Sequence, residues 1–178
     1  MRFIYLDPPY PGQARKLYKM PEVDHRVLIQ EATQEYDGFA LSTSTPALKE
    51  VLELCPSYVR VGAWVKPFCS FKPGVNPAYA WEPIIYHTPK KHSRKDPTIR
   101  DWVSANITLK KGLCGAKPEG FCFWLIDLLG LELEDTFEDR FPGTGAVTTA
   151  YLKWRDLSLN KAKSINTMEL EPCSQKSK

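Results

Sequence analysis

Asp7-Pro8-Pro9-Tyr10 combines residue types that could bind a planar amino group. Two consecutive prolines fix φ and remove two backbone N–H donors, so the nearby carbonyl groups are left as acceptors. The Asp7 carboxylate adds acceptor oxygens, and Tyr10 adds an aromatic face. We therefore predict that this turn receives a planar ligand with an exocyclic amino group. The competing interpretation is an ordinary proline-rich turn.

A buried strand over residues 1–6 leads into this turn. Open α/β sheets bind ligands at the carboxyl ends of their strands, so the turn stands where chemistry is expected. A second turn of this kind lies near the other end of the chain. It begins at Asp139 after a predicted strand over residues 133–138 and contains Gly143 and Gly145. Val147, Ala150, Tyr151 and Trp154 share one face of the helix predicted after it.

Glycines let a backbone approach a ligand closely, and a helix amino end presents unpaired N–H groups. Gly143-Thr144-Gly145 is therefore a candidate binding turn, although glycines at such turns also serve packing alone. Neighbouring strands can bring two strand-end turns together where the strand order of a doubly wound sheet reverses. This position would combine the acceptor-rich turn with the glycine turn.

The elements between the turns alternate. Strands are predicted over residues 38–43, 58–65 and 80–86, and helices over residues 21–35, over residues 45–55 and from Pro118 to a Gly130 cap. Thr45-Pro46 has the composition of a helix start, and Pro56 ends that helix. This rhythm predicts an α/β fold, namely a Rossmann-like, doubly wound, mostly parallel sheet with an antiparallel edge strand.

Composition is typical of a soluble single domain: 178 residues, 43% hydrophobic and 25% charged, with a net charge of +3. The five cysteines are odd in number and form no Cys-x-x-Cys pair, which indicates reduced thiols in a cytoplasmic protein. No apolar run reaches membrane-spanning length, and no metal site is predicted. Residues 87–115 are rich in Lys and Arg, which favours either a solvated face or a surface that follows a phosphate backbone.

The two turns together resemble the S-adenosylmethionine-dependent amino-methyltransferases that methylate adenine N6 or cytosine N4 in nucleic acid. Asp-Pro-Pro-Tyr is the catalytic motif of that family, and Asp-x-Phe-x-Gly-x-Gly is its cofactor motif, matched here by Asp139, Phe141, Gly143 and Gly145. Lys117-Pro118 matches the pair that opens the preceding helix. The order of the motifs resembles the permuted beta class and the MT-A70-like branch, as do Trp64-Val65-Lys66-Pro67 and Trp81-Glu82-Pro83.

The resemblance implies a permuted, minimal class I methyltransferase fold over residues 1–156, followed by a polar tail over residues 157–178. It implies direct methyl transfer from S-adenosylmethionine to a base flipped out of the strand, with adenine N6 in DNA favoured over RNA. The implied catalytic residues are Asp7, Pro8, Pro9 and Tyr10. The implied cofactor contacts are Asp7, Lys117, Pro118, Asp139, Phe141, Gly143, Thr144 and Gly145.

In chemical terms, an aromatic amino group is a poor nucleophile because its lone pair is delocalised into the ring. Asp7 and the Pro8 carbonyl would each accept a hydrogen bond from one of its two N–H groups and so free the lone pair. Tyr10 would stack on the base. Residues 88–115 would form a basic substrate-contacting insertion. The predicted substrate contacts are Arg15, Lys16, Trp64, Lys66, Lys90, Lys91, Arg94, Arg100, Lys110 and Lys111.

Alternatives remain open at this point. One is a methyltransferase-like subunit that binds nucleic acid without transferring methyl groups, because no clear strand after Trp154 ends in the acidic residue that family members use to hold the cofactor ribose. Another is an RNA adenine methyltransferase. Protein glutamine methylation is disfavoured because its similar turn begins with Asn where this chain has Asp7. The small size is consistent with a homodimer or a partner subunit that covers the substrate.

Overall fold

A single mixed sheet of six strands forms the centre of the computed structural model, which describes residues 1–12, 22–68, 73–91, 93, 96–108 and 116–169. The strands are β1 Arg2–Leu6, β2 Gly38–Ser42, β3 Arg60–Val65, β4 Trp81–His87, β5 Trp102–Ser104 and β6 Thr136–Asp139. The helices are α1 His25–Glu35, α2 Leu48–Leu52, α3 Glu119–Leu129 and α4 Ala146–Glu169.

The strand order is β5-β3-β4-β2-β1-β6. β1 is parallel to both β2 and β6, and β3 is parallel to β5, whereas β4 runs antiparallel to both of its neighbours. Five strands therefore point the same way, and the predicted α/β class with a mostly parallel sheet is confirmed. The position predicted for the antiparallel strand was wrong, because β4 lies inside the sheet.

The burial of β4 explains its interior position. Five of its seven residues are buried, so the strand is apolar enough to be covered on both faces and flanked on both edges. The edge position is taken by β5, which pairs with β3 and which the sequence did not predict. Part of the predicted basic insertion is therefore a strand of the sheet.

Helices cover both faces of the sheet. On one face, Phe3 and Tyr5 of β1 pack with α3 and with the first turns of α4. On the other face, Ile4 and Leu6 of the same strand pack with α1 and α2. Alternate side chains of a strand point to opposite faces, so an almost wholly apolar β1 is required for a strand covered on both sides.

Two helix starts differ from the prediction, and one helix extends into the segment predicted as a polar tail. α1 begins after Asp24, whose carboxylate accepts hydrogen bonds from the N–H groups of Arg26 and Val27. α2 is short because residues 45–47 form a turn in which the Ala47 N–H bonds to the Ser44 carbonyl, so Thr45-Pro46 does not open the helix. α4 continues to Glu169, so residues 157–169 of the predicted polar tail are helical. This part of the helix contains no Gly or Pro to end it earlier.

None of the helices in the described part of the chain is both long enough and apolar enough to span a membrane.

Candidate active site

The Asp7-Pro8-Pro9-Tyr10 turn and the glycine turn flank one crevice. β1 and β6 are adjacent parallel strands, with Tyr5 in register with Asp139. The Arg140 N–H donates to the Tyr5 carbonyl at 3.1 Å, which holds the ends of the two strands together. The helix after β1 packs on one face of the sheet and the helix after β6 packs on the other. This divergence opens a crevice at the carboxyl ends of the two strands.

Asp7 lies at this crevice with its side chain 23% exposed. Lys117, just before α3, places its Nζ 3.1 Å from Asp7 Oδ1. Burial raises the pKa of Asp7, and the Lys117 ammonium opposes that shift without cancelling it. Burial lowers the pKa of Lys117, but Asp7 and Glu82 raise it, so the net shift is upward and the ammonium stays charged.

Glu82 completes a buried network of alternating charges. Its Oε1 contacts Lys117 Nζ, and its Oε2 lies 2.8 Å from Lys66 Nζ. Burial raises the pKa of Glu82, but the two ammonium groups lower it by more than burial raises it. The net shift is downward, and the carboxylate is ionised. The result is a chain of ion pairs running Asp7, Lys117, Glu82, Lys66. We name it the charge network.

Aromatic side chains surround the charge network. Lys66 Nζ lies 4.4 Å from the ring centroid of Trp64, and Lys117 Nζ lies 5.3 Å from the same centroid. Tyr10 is half-buried, and burial raises its pKa; Lys117 opposes this shift, whereas Glu82 and Asp7 reinforce it. Tyr10 is therefore a neutral phenol beside a carboxylate. Tyr5 lies two residues before Asp7, and its hydroxyl is hydrogen-bonded to Ser42 Oγ at 2.7 Å.

The glycine turn has the backbone geometry that only glycine adopts readily. Gly143 has φ 48° and Gly145 has φ 74°, both in the left-handed region. The Gly145 N–H donates to the Pro142 carbonyl at 2.6 Å, and the Gly145 carbonyl accepts from Thr149 N–H at 2.8 Å to begin α4. A Cβ on Gly145 would project into open space. The turn thus presents an uncovered backbone surface at a helix amino end.

Two buried polar atoms at this edge of the sheet have no hydrogen-bond partner among the described residues. One is Asp139 Oδ1, whose companion Oδ2 accepts from the Thr148 hydroxyl at 2.9 Å. Burial raises the pKa of Asp139, and the Thr148 bond opposes the shift in part. The other atom is Thr43 Oγ1, just after β2. Asp139 ends β6 and Thr43 follows β2, the two strands that flank β1. Unsatisfied buried polar atoms of this kind call for a ligand or water.

The remaining predicted cofactor residues lie around the same crevice. Pro118 is the N-cap residue of α3, and its carbonyl accepts from Cys122 N–H at 3.1 Å. Phe141 packs against the core on the α1 side, whereas Thr144 is exposed. Arg140, within the turn, is ion-paired with Glu31 of α1 and, at 3.0 Å, with Glu138. These pairs fix the entry to the turn.

The predicted substrate residues are dispersed. Trp64 is only 3% exposed and donates its indole N–H to the Ala105 carbonyl at 2.8 Å, so it is a core residue. Lys66 belongs to the charge network. Lys90 is ion-paired with Asp135 at 2.9 Å and with Glu132, at the end of the strands opposite Asp7. Lys91 is exposed, and the Arg100 guanidinium lies 5.4 Å from the Trp102 centroid. The predicted contacts Arg15, Lys16, Arg94, Lys110 and Lys111 lie outside the described residues.

Glu82 was not among the predicted site residues, although it has a central place in the charge network. The signal available in the sequence is a single carboxylate in an otherwise apolar strand, next to Trp81 and Pro83. A charge at such a position is seldom buried without a partner. That argument predicts that a partner exists, but it does not identify Lys117, which lies 35 residues away.

Comparison with known proteins establishes the fold. No protein-family model and no curated protein matches the chain. Among solved structures, the M1.HpyAVI–SAM complex is similar with a TM-score of 0.58 at 13% sequence identity, over 86% of this chain and 78% of that one. M1.HpyAVI is similar with a TM-score of 0.54 at 15% identity, over 86% of this chain and 76% of that one. The described chain therefore shares the α/β fold of M1.HpyAVI.

Proposed function

We propose that this protein is an S-adenosylmethionine-dependent methyltransferase that acts on an exocyclic amino group of a nucleic-acid base, adenine N6 in DNA. The observation that carries the proposal is the position of Asp7. Its carboxylate directly follows β1, which lies beside the strand that leads into the glycine turn, and Lys117 holds it at 3.1 Å. The same fold holds SAM in the M1.HpyAVI–SAM complex.

The residues present fit the cofactor. Asp139 Oδ1 is a buried acceptor without a partner in the described chain, and the hydroxyl groups of a ribose would satisfy it. Gly145 leaves open space where another residue would carry a side chain. Together with the start of α4, these groups would hold the cofactor. When bound, S-adenosylmethionine supplies a methyl group on a positively charged sulfur.

Asp7 would prepare the amino group of the base. Because Lys117 contacts Oδ1, we assign Oδ2 to an amino N–H and the Pro8 carbonyl to the second N–H. Accepting both bonds draws the nitrogen lone pair out of conjugation with the ring. The raised pKa of Asp7 strengthens the carboxylate as an acceptor. Lys117 fixes its orientation, and Glu82 with Lys66 fixes Lys117.

The neutral phenol of Tyr10 would provide a stacking face for the base. Stacking on an aromatic side chain is worth roughly 1–3 kcal/mol per base, enough to offset much of the cost of unstacking the base from its strand. This assignment separates two functions within four residues. Asp7 activates the amino group, and Tyr10 holds the ring in the plane that allows this.

Transfer of labelled methyl groups from S-adenosylmethionine to DNA and RNA oligonucleotides tests the proposal, with nucleoside mass spectrometry to identify the product. Asp7→Asn keeps the size of the side chain but replaces a carboxylate oxygen with an N–H donor, so transfer should fall by at least about 100-fold, the scale for losing a key polar group in a catalytic site. Asp156→Asn, an exposed position on α4, is the matched control and should retain full activity.

N6-methyladenine formed in DNA, and lost in Asp7→Asn, is the expected result. N4-methylcytosine or methylated RNA would overturn the assignment of the substrate but preserve the class of reaction. Calorimetry separates the non-catalytic alternative. Cofactor and nucleic-acid binding without any transfer by the wild-type protein would show a binding subunit.

A further inference from the structure

An open cleft of about 430 Å³ lies beside the charge network at the same edge of the sheet. We name it the aromatic cleft. Its wall includes Thr45, Val75, Asn76, Pro77, Tyr79 and Trp81. The volume lies within the roughly 300–1,000 Å³ range of small-molecule sites.

The antiparallel direction of β4 explains this location. Because β4 runs against its neighbours, its first residue, Trp81, stands at the edge where β1, β2 and β6 end. Thr45 follows β2 by three residues and also lines the cleft. The next residue of β4 is Glu82, which contacts Lys117. Two consecutive residues of β4 thus belong to the aromatic cleft and to the charge network.

The two sites lie on opposite faces of the sheet at this point. Successive side chains of a strand point to opposite faces. Glu82 points toward Lys117 and α3, so Trp81 points the other way. A group bound in the aromatic cleft is therefore distinct from the group bound over Asp7. A polymer that crosses the edge of the sheet could occupy both.

The side chains of the aromatic cleft match an uncharged planar ligand. Tyr79 is 50% exposed and Trp81 is 40% exposed, so both rings present stacking surface to solvent. Asn76 offers an amide donor and acceptor, and Thr45 offers a hydroxyl. None of the described residues that line the cleft has a charged side chain, so this part of the wall offers a phosphate no ion pair. Stacking faces combined with an amide suit a nucleobase, which has two faces and a hydrogen-bonding edge.

We propose that the aromatic cleft binds a second, unstacked base of the substrate strand, close to the base whose amino group is methylated. The inference rests on the proposed function for the identity of the polymer. It assigns Tyr79 and Trp81 as stacking residues and Asn76 as the residue that contacts the edge of the base. Since an unstacked second base requires an open strand, it also assigns a single-stranded or locally unpaired substrate.

Equilibrium binding of a fluorescently labelled single-stranded oligonucleotide, followed by anisotropy at fixed salt concentration, tests the inference. Trp81→Ala should weaken binding on the order of tenfold, the value of one base stack. Trp81→Phe keeps a stacking ring and should retain most of the affinity, provided that circular dichroism shows both variants folded. Tyr58→Ala is the matched control, because Tyr58 is 53% exposed but precedes β3, at the end of the strands opposite the cleft.

A set of oligonucleotides, each lacking one base but keeping its phosphate, locates the contact. For one position, the missing base should weaken binding to the wild-type protein about as much as Trp81→Ala does, and the two changes together should cost no more than either alone. Additive losses at every position, or an equal loss in Tyr58→Ala, would overturn the inference. The binding measurement does not depend on methyl transfer. Oligonucleotide binding that depends on Trp81, without any methyl transfer, would contradict only the proposed function. Methyl transfer without any effect of Trp81 on binding would contradict only the inference.

Discussion

Four charged side chains determine the electrostatics of the candidate site at the residue scale. Asp7, Lys66, Glu82 and Lys117 sum to zero charge, and each lies against a partner of opposite sign. Removing a charge from water costs several kcal/mol, so such groups are tolerated only where the pairing is complete. The network therefore holds Asp7 in place, but removing any one of its four charges should destabilise the fold.

Glu82→Gln should reveal this sensitivity. Lys117 would lose one of two carboxylate partners while its side chain is only 6% exposed, so the free energy of unfolding should fall by about 3 kcal/mol. Denaturant unfolding followed by circular dichroism measures the change. Glu53→Gln is the matched control, because Glu53 pairs with Lys49 at 4.0 Å and both side chains are highly exposed. We expect a change within about 0.5 kcal/mol there.

A double variant distinguishes charge pairing from simple packing. Combining Glu82→Gln with Lys117→Met removes both partners, so the combined loss should be smaller than the sum of the two single losses by more than about 1 kcal/mol. If the losses simply add, the two side chains stabilise the fold independently and the charge network has been misassigned.

At the element scale, the sequence predicted best the features that depend on neighbouring residues. The first turn follows β1 because an apolar run ends there at two prolines, and α3 ends at Gly130, a similarly local signal. The pairing of the two turns in one crevice was also predicted, because parallel strands place their carboxyl ends at the same edge of a sheet.

The features that the sequence did not predict depend on distant partners. β5 has only three residues and no periodicity, and it exists because β3 offers an open edge to pair with. β4 is apolar enough for an interior position, but its pairing with β2 and β3 and its antiparallel direction depend on residues distant in sequence. Glu82 has a role in the site only because Lys117 reaches it from before α3. In each case tertiary contacts decide what local propensity leaves open.

Two glycines of α3 should respond to alanine in opposite directions. Gly130 caps the helix at φ 68°, where a Cβ is strained, so Gly130→Ala should cost about 1 kcal/mol of unfolding free energy. Gly120 lies inside the first turn, and its added Cβ would make an ordinary contact with Ala105 at 3.9 Å. Gly120→Ala should therefore stabilise by a few tenths of a kcal/mol. Thermal unfolding of both variants checks the signs, and destabilisation by both would contradict the assigned helix boundaries.

At the scale of the whole molecule, the lysines that contribute to the net charge of +3 have two different environments, a partly buried ion pair or open solvent. Lys90 and Lys91 are adjacent in sequence but differ in environment. Lys90 is 16% exposed and bonds to Asp135, whose side chain is 4% exposed. Burial lowers the pKa of Lys90, but Glu132 and Asp135 raise it, so the net shift is upward. Lys91 is exposed to solvent. The first lysine stabilises the fold, whereas the second is available to a phosphate backbone.

Methionine substitutions separate these two uses, because methionine keeps most of the aliphatic stem and removes the charge. Lys90→Met should lower the free energy of unfolding by about 2 kcal/mol, since Asp135 loses a charged partner while buried. Lys91→Met should leave stability within about 0.5 kcal/mol and reduce the slope of log binding constant against log salt concentration by about one, the contribution of one phosphate contact. Oligonucleotide binding at four salt concentrations gives the slope for each variant. A reduced slope in folded Lys90→Met, or an unchanged slope in Lys91→Met, would show that the polymer follows a different path across the surface.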